Sequence, residues 1–215
     1  VLNDLGELFK GRKIAPVDMF DEARRSLHFV GYEGLAMIAV AGFDMVAWDV
    51  LARAADVPLC VLLGGTLGSV RSYNSNGLWL APPAEVAAQA IQLRDEGGFN
   101  GLKLRMGRDR FAEDVDTLRA VREAVGDDMS LMVDFNQGLD RADALYRCHG
   151  LDDMGLAWLE EPIVYDELYS YAELARELKT PLQIGENFYG PKELYKAIHL
   201  RASDLGMPDF MRVGG

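Results

Sequence analysis

Asp134, Glu160 and Glu186 follow one another at equal intervals of 26 residues. Each closes a short apolar run: Leu131-Met132-Val133, Leu156-Ala157-Trp158-Leu159 and Pro181-Leu182-Gln183-Ile184-Gly185. A stretch with helical periodicity follows each one. One such residue alone would serve as a helix N-cap or first-turn charge. Three at one spacing place acidic groups at successive strand ends of a parallel β/α chain. Carboxylates brought together repel, and a divalent cation held by oxygen ligands is the usual reason to tolerate that. The chemistry implied is metal-assisted.

Cations lie one unit upstream. In Leu102-Lys103-Leu104-Arg105-Met106 the two charged residues share one face of a strand, because side chains alternate. Asp134 and Asn136 share a face in the same way, as do Trp158 and Glu160. Asp209 comes 23 residues after Glu186, at the end of a further strand candidate. The inward set is therefore Lys103, Arg105, Asp134, Asn136, Glu160, Glu186 and Asp209. Glu161 points elsewhere and reads as a supporting residue. Ser75 and Asn76, at the end of the first strand candidate, suit either substrate contact or a turn. His28, His149 and His199 fall on or beside helices, where surface or packing roles fit them.

The elements that would position these groups begin at residue 70. Strand candidates are Arg71–Asn74, Gly101–Arg105, Ser130–Phe135, Leu156–Leu159, Leu182–Ile184 and Asp204–Met207. Helices are expected over about 83–96, 111–125, 141–153, 168–178 and 192–201. Strict alternation argues for a parallel sheet with helical crossovers. A complete eight-fold barrel takes ~250 residues, so about six of eight units are present. An open doubly wound sheet is the other reading, weakened because no glycine-rich phosphate turn follows the first strand. Residues 1–65 read as helices, divided from the barrel part (66–215) by Gly64-Gly65. One, over Leu35–Ala54, is apolar nearly all round and is expected to be buried.

Composition narrows the function. The net charge of −12 argues against nucleic-acid phosphates as partners, which need a basic face. With only Cys60 and Cys148, and no CxxC, a disulfide framework or zinc site is not expected, and a cytoplasmic setting is. No apolar run is seen to approach ~20 residues, so neither a membrane span nor membrane partners are expected. Val1 at the start and Gly214-Gly215 after a strand-like run read as the cut ends of a longer chain.

These motifs resemble the enolase superfamily, in its mandelate racemase/muconate lactonizing enzyme-like branch (mandelate racemase subgroup). Gly42-Phe43-Asp44-Met45-Val46-Ala47-Trp48-Asp49 looks like a helix of its α+β capping domain. Lys103-Leu104-Arg105 stands in the place of its Lys-x-Lys motif. Met132-Val133-Asp134-Phe135-Asn136-Gln137, Trp158-Leu159-Glu160-Glu161-Pro162 and Gly185-Glu186-Asn187 look like its metal-ligand motifs. Met207-Pro208-Asp209 looks like the strand carrying the Asp of its His-Asp dyad. The resemblance implies a TIM-type barrel and a Mg²⁺ site made by Asp134, Glu160 and Glu186. It implies removal of the proton α to a substrate carboxylate, with an enediolate stabilised by the metal. Lys103 would offset the substrate carboxylate, and Asn136 and Ser75 would contact substrate. Arg105 departs from the pattern: arginine is a poor base. The implied partner is a small carboxylate, and a homo-oligomer is expected. Dehydration of a sugar acid is the first reading. Racemisation or epimerisation of a 2-hydroxy acid is the second, and a non-catalytic carboxylate- or metal-binding relative the third.

Overall fold

The computed structural model describes residues 1–215, which divide into two units. The first comprises Val1–Val70, Gly185–Tyr195 and Pro208–Gly215; the second comprises Arg71–Ile184 and Lys196–Met207.

The first unit opens with four helices: α1 (Leu2–Phe9), α2 (Pro16–Ser26), α3 (Leu35–Ala54) and α4 (Leu59–Leu62). Pro16 starts α2 because its fixed φ suits a first helical turn whose N–H has no partner in any case. α3 packs on α1 and α2. Met37 and Val40 thereby meet Leu5, Phe9, Met19 and Ala23 in one core cluster, and Phe9 stacks on Phe43 with ring centroids 5.1 Å apart. The opposite face exposes Leu35, Val46 and Val50. Burial all round is thus corrected to burial of one face, because the other helices of this unit cover only one side. α3 also has the length and composition of a membrane-crossing helix, with a mean hydropathy of 1.8. That corrects the expectation that no such run exists. Its charges, Asp44, Asp49 and Arg53, are few and dispersed, and one third of the window is buried against its neighbours.

The second unit alternates as its sequence predicts: α5 (Pro83–Gly97), β1 (Gly101–Arg105), α6 (Phe111–Val125), β2 (Ser130–Asp134), α7 (Arg141–Leu151), β3 (Leu156–Glu160), α8 (Leu168–Glu177), β4 (Leu182–Ile184), α9 (Pro191–Leu200, beginning in the first unit) and β5 (Leu205–Gly206). A short α10 (Phe210–Val213) follows in the first unit. Gly98 closes α5 at φ 65°, a left-handed conformation that suits glycine. The Asp140 carboxylate caps α7 by accepting from the Asp143 N–H at 2.8 Å. All five strands are parallel and lie in chain order, β1-β2-β3-β4-β5. A doubly wound sheet would reverse order at a switch point; this sheet does not, and it is a segment of a β/α barrel.

One expected strand is reduced. Arg71–Asn74 supplies a single parallel bridge, Asn74 to Leu102. The Asn74 side chain accepts from the Asn76 N–H at 3.0 Å, an Asx turn that bends the chain away before a ladder can form.

Behind the sheet, Asp114 of α6 is fully buried. Its carboxylate accepts from the backbone N–H groups of Gly107 and Arg108 and from the guanidiniums of Arg108 and Arg147. Arg147 also donates to the Arg108 and Asp109 carbonyls. The loop after β1 is therefore fastened by charge-assisted bonds to two helices.

Both cysteines are free thiols, Cys60 exposed and Cys148 buried. Burial pushes the Cys148 thiol up to about 12, with the Asp152 charge adding to it. At pH 8 almost none of it is thiolate, the reactive form. In the folded protein at that pH, iodoacetamide should leave Cys148 unmodified, and unfolding in denaturant should make it react at the rate of a free thiol. Peptide mass mapping of the labelled protein checks this; rapid native labelling of Cys148 would show that α7 does not seal it.

Candidate active site

The register of the sheet builds the site. Arg105 of β1 pairs with Asp134 of β2, and Asp134 pairs with Glu160 of β3. The strand ends therefore stand level. They do so because the β2–β3 register shifts between Leu131 and Val133: Leu131 opposes Leu156, but Val133 opposes Leu159. The extra residue in β3 is a bulge, and a shift by one residue changes which side chain faces which way. It brings Glu160 to the same side as Asp134.

Lys103 lies between the two carboxylates. Its Nζ is 3.0 Å from Asp134 Oδ2 and donates a short hydrogen bond to Glu160 Oε1. All three are nearly inaccessible, at 4 %, 1 % and 0 % exposure. Arg105 Nη1 adds an ion pair to Asp134 at 3.4 Å. Trp158 Nε1 donates to Glu160 Oε2 at 3.0 Å, and the Tyr73 ring meets the Trp158 ring edge-on. Asn136 donates from its backbone N–H and from its side chain to the two oxygens of Asp134, at 2.8 and 3.1 Å.

Burial and the neighbouring Asp134 charge push the Glu160 carboxyl up to about 7, against Lys103 and Trp158, which favour its ionised form. Burial acts to lower the Lys103 pKa, but the two carboxylates outweigh it and the net shift is upward. So Lys103 stays charged, and the pair of carboxylates still holds more negative charge than the site easily accommodates. A hard divalent cation fits that deficit: the donors are all oxygen, buried and oriented. Within either unit no three His, Cys, Asp or Glu side chains form a ready metal cage, since the Lys103 ammonium takes the position between Asp134 and Glu160.

The remaining expected residues fall elsewhere. Glu186 belongs to the Gly185–Tyr195 segment of the first unit, and its carbonyl accepts from Arg212 Nη1 at 2.5 Å. Asp209, also in the first unit, caps α10 by accepting from the Met211 N–H at 2.8 Å. It thus stands beyond β5 rather than inside a strand, as a residue that starts a helix. Ser75 is exposed just after the Asn74 bridge. Glu161 is buried and accepts from Gln137 Nε2 at 2.6 Å, the supporting role its strand phase implied. Gln137 also accepts from the Tyr165 N–H at 3.0 Å, so one amide ties the loop after β2 to the loop after β3. Asn136, Gln137 and Glu161 have φ of 46°, 63° and 38°, a strained conformation for non-glycine residues that concentrates at functional sites.

The sequence reading gave no role to Gln137, Trp79 or Tyr73. Gln137 could have been found by its position three residues after Asp134. Trp79 carried no signal, since only the folded loop brings its ring over Arg105, 5.2 Å from the guanidinium carbon.

Lys103 should be what holds this cluster together when no metal is bound. In metal-free protein, Lys103→Met should cost about 3–5 kcal/mol, the scale for stranding buried charges, measured by urea unfolding at pH 7.5. Added Mg²⁺ should recover more stability for the variant than for the parent. Equal stability of the two metal-free proteins would show that the ammonium does not offset the carboxylates.

The geometry can be set beside known proteins. Residues 85–215 match the family model described as enolase C-terminal domain-like. L-talarate/galactarate dehydratase of Salmonella typhimurium is 39% identical over 186 residues, covering 86% of this chain and 47% of that protein. The crystal structure of an enolase from alpha proteobacterium bal199 with bound Mg superposes with a TM-score of 0.96 at 60% identity, covering 100% of this chain and 60% of that one. L-talarate dehydratase from Polaromonas sp. JS666, complexed with Mg and L-glucarate, gives a TM-score of 0.92 at 33% identity, covering 100% and 60%. The chain spans about half the length of the curated relatives it matches. The matched segment carries Lys103, Asp134, Glu160 and Glu186 within it, and on that evidence the chain belongs to the enolase C-terminal domain-like family, in the mandelate racemase and muconate lactonizing branch.

Proposed function

We propose that the protein is a Mg²⁺-dependent enzyme that removes the proton α to a carboxylate, and that its reaction is the dehydration of a sugar acid. The observation that carries this reading is the buried Asp134–Lys103–Glu160 cluster at the strand ends, the face where β/α barrels do chemistry. The names and bound Mg of the relatives support it. In this reading residues 1–65 belong to a capping domain and 66–215 to the barrel. Free thiols at Cys60 and Cys148 suit a cytoplasmic setting, and self-association into a homo-oligomer is carried over from the resemblance.

Asp134, Glu160 and Glu186 would hold the metal. When bound, Mg²⁺ supplies positive charge against a carboxylate whose α-carbon loses a proton. The protein's own groups do the rest. Lys103, released from its carboxylates when a cation takes its place, is a mobile ammonium beside the substrate carboxylate. Asn136 orients Asp134 through two hydrogen bonds, and Trp158 orients Glu160. Arg105 places a fixed positive charge and N–H donors where the family has a basic lysine. Asp209 would orient a histidine base, and Ser75 and Asn136 would reach substrate hydroxyls.

Glu160→Ala in the full-length protein should weaken Mg²⁺ binding by roughly 100-fold or more, beyond the range for losing a supporting residue. Calorimetric titration checks this, and parent-like Mg²⁺ affinity would remove Glu160 from the ligand set.

Racemisation is the second reading, and Arg105 is the observation against it, because two-sided proton transfer needs a base on both faces and arginine stays protonated. In D₂O with Mg²⁺ and a panel of sugar acids, the unmodified protein should exchange or eliminate the α-proton of one configuration at C2 and spare the other, with 2-keto products. Equal deuterium incorporation into both configurations favours the racemase. A protein that binds acid and Mg²⁺ but exchanges no proton is the non-catalytic relative.

A further inference from the structure

Arg105 is the least satisfied charged group of the cluster. Its Nε and Nη1 are buried and make no hydrogen bond; Nη1 has only the 3.4 Å ion pair with Asp134. Above the guanidinium lies Trp79, in cation–π contact and 61 % exposed. The loop that carries Trp79 is held from both ends. Leu78 accepts from the Arg105 N–H at 3.0 Å through its carbonyl and donates from its own N–H to Gln89 Oε1 at 2.9 Å. Beyond the ring, Arg108 Nη2 donates to the Ala81 carbonyl at 2.8 Å, and Arg108 is itself fixed by Asp114. Leu78 has φ 53°, a conformation that a β-unbranched apolar residue adopts only when its surroundings impose it. So an exposed indole is carried on a braced loop and pressed onto a guanidinium with unused donors, beside a substrate-facing carboxylate pair.

Buried donors without partners discriminate among ligands. A substrate atom that accepts from them gains a charge-assisted bond; a substituent that cannot accept leaves them stranded and is rejected. An indole face suits the C–H side of a polyol chain. We infer that Arg105 and Trp79 form a specificity wall selecting acids that carry hydroxyls beyond C2, over 2-hydroxy acids whose substituent is apolar. This rests on the function proposed above and names its substrate class. Arg105 touches substrate oxygen, and Trp79 holds the guanidinium and packs on the chain.

The test uses full-length protein with saturating Mg²⁺. kcat/KM for α-proton loss is measured for six-carbon aldonates and aldarates (gluconate, galactonate, glucarate, galactarate) and for mandelate and 2-hydroxybutyrate. The unmodified protein should prefer its best polyhydroxy acid by at least 100-fold. Arg105→Met should shrink that ratio at least tenfold, and Trp79→Ala, at an exposed position outside the carboxylate cluster, should shrink it severalfold with Mg²⁺ affinity unchanged. Reading ratios cancels any general loss from the Arg105–Asp134 contact. A ratio unmoved in Trp79→Ala, or a parent that prefers the apolar acids, overturns the inference while leaving Mg²⁺-dependent proton abstraction standing. Loss of α-proton from no acid in the parent overturns the proposed function, and the inference with it.

Discussion

The site depends on one ammonium between two buried carboxylates. Lys103, Asp134 and Glu160 come from three adjacent strands, and none of them is tolerable in the interior without the others. A lone buried charge costs several kcal/mol even after relaxation. The arrangement therefore constrains everything around it: the β2–β3 bulge, the level strand ends, the Trp158 N–H aimed at Glu160 and the two Asn136 donors aimed at Asp134. Glu160 shows where the balance is incomplete, since its carboxyl is pushed up to about 7 despite its lysine partner. The protein holds an electrostatic tension at the strand ends that a hard cation relieves.

Around that cluster the chain supports its site with loops rather than with more charge. Gln137 and Glu161 connect the loops after β2 and β3 through a side-chain hydrogen bond and a backbone bond from the Gln137 N–H to the Glu161 carbonyl. Asp114, Arg108 and Arg147 fasten the loop after β1. Three non-glycine residues held at positive φ, Asn136, Gln137 and Glu161, lie next to the acidic residues. A site that must keep its oxygens in place for a small divalent ion gains from such bracing, because misplaced ligands lose the geometry Mg²⁺ demands.

Membership of a family fixes the scaffold and the general chemistry more firmly than the reaction. The similar proteins include dehydratases, racemases and cycloisomerases, which share proton abstraction and differ in what happens afterwards. In this chain the residue that bears on that difference is Arg105: it supplies donors and charge where a basic amine would stand, and its surroundings, Trp79 above and Asp134 beside, suit recognition better than proton transfer.

Much of this was legible before any fold was known. The 26-residue interval, the apolar runs and the helical stretches between them determined the β/α rhythm, because strand ends in a parallel sheet recur once per crossover. Strand phase put Lys103 and Arg105 on one face, and separated Glu161 from Glu160. The Lys103–Asp134–Glu160 contacts are the direct result. Other features were decided only in three dimensions. The Asn74 Asx turn cut the first strand to a bridge, a competition between a side chain and a ladder that propensity does not resolve. The bulge in β3 depends on pairing with β2, not on residues of β3 alone. Trp79 reached Arg105, and Asp114 reached Arg147, across stretches of chain with no periodic relation. The exposed face of α3 likewise reflects which helices cover it, since composition says how apolar a helix is and only packing says which side is hidden.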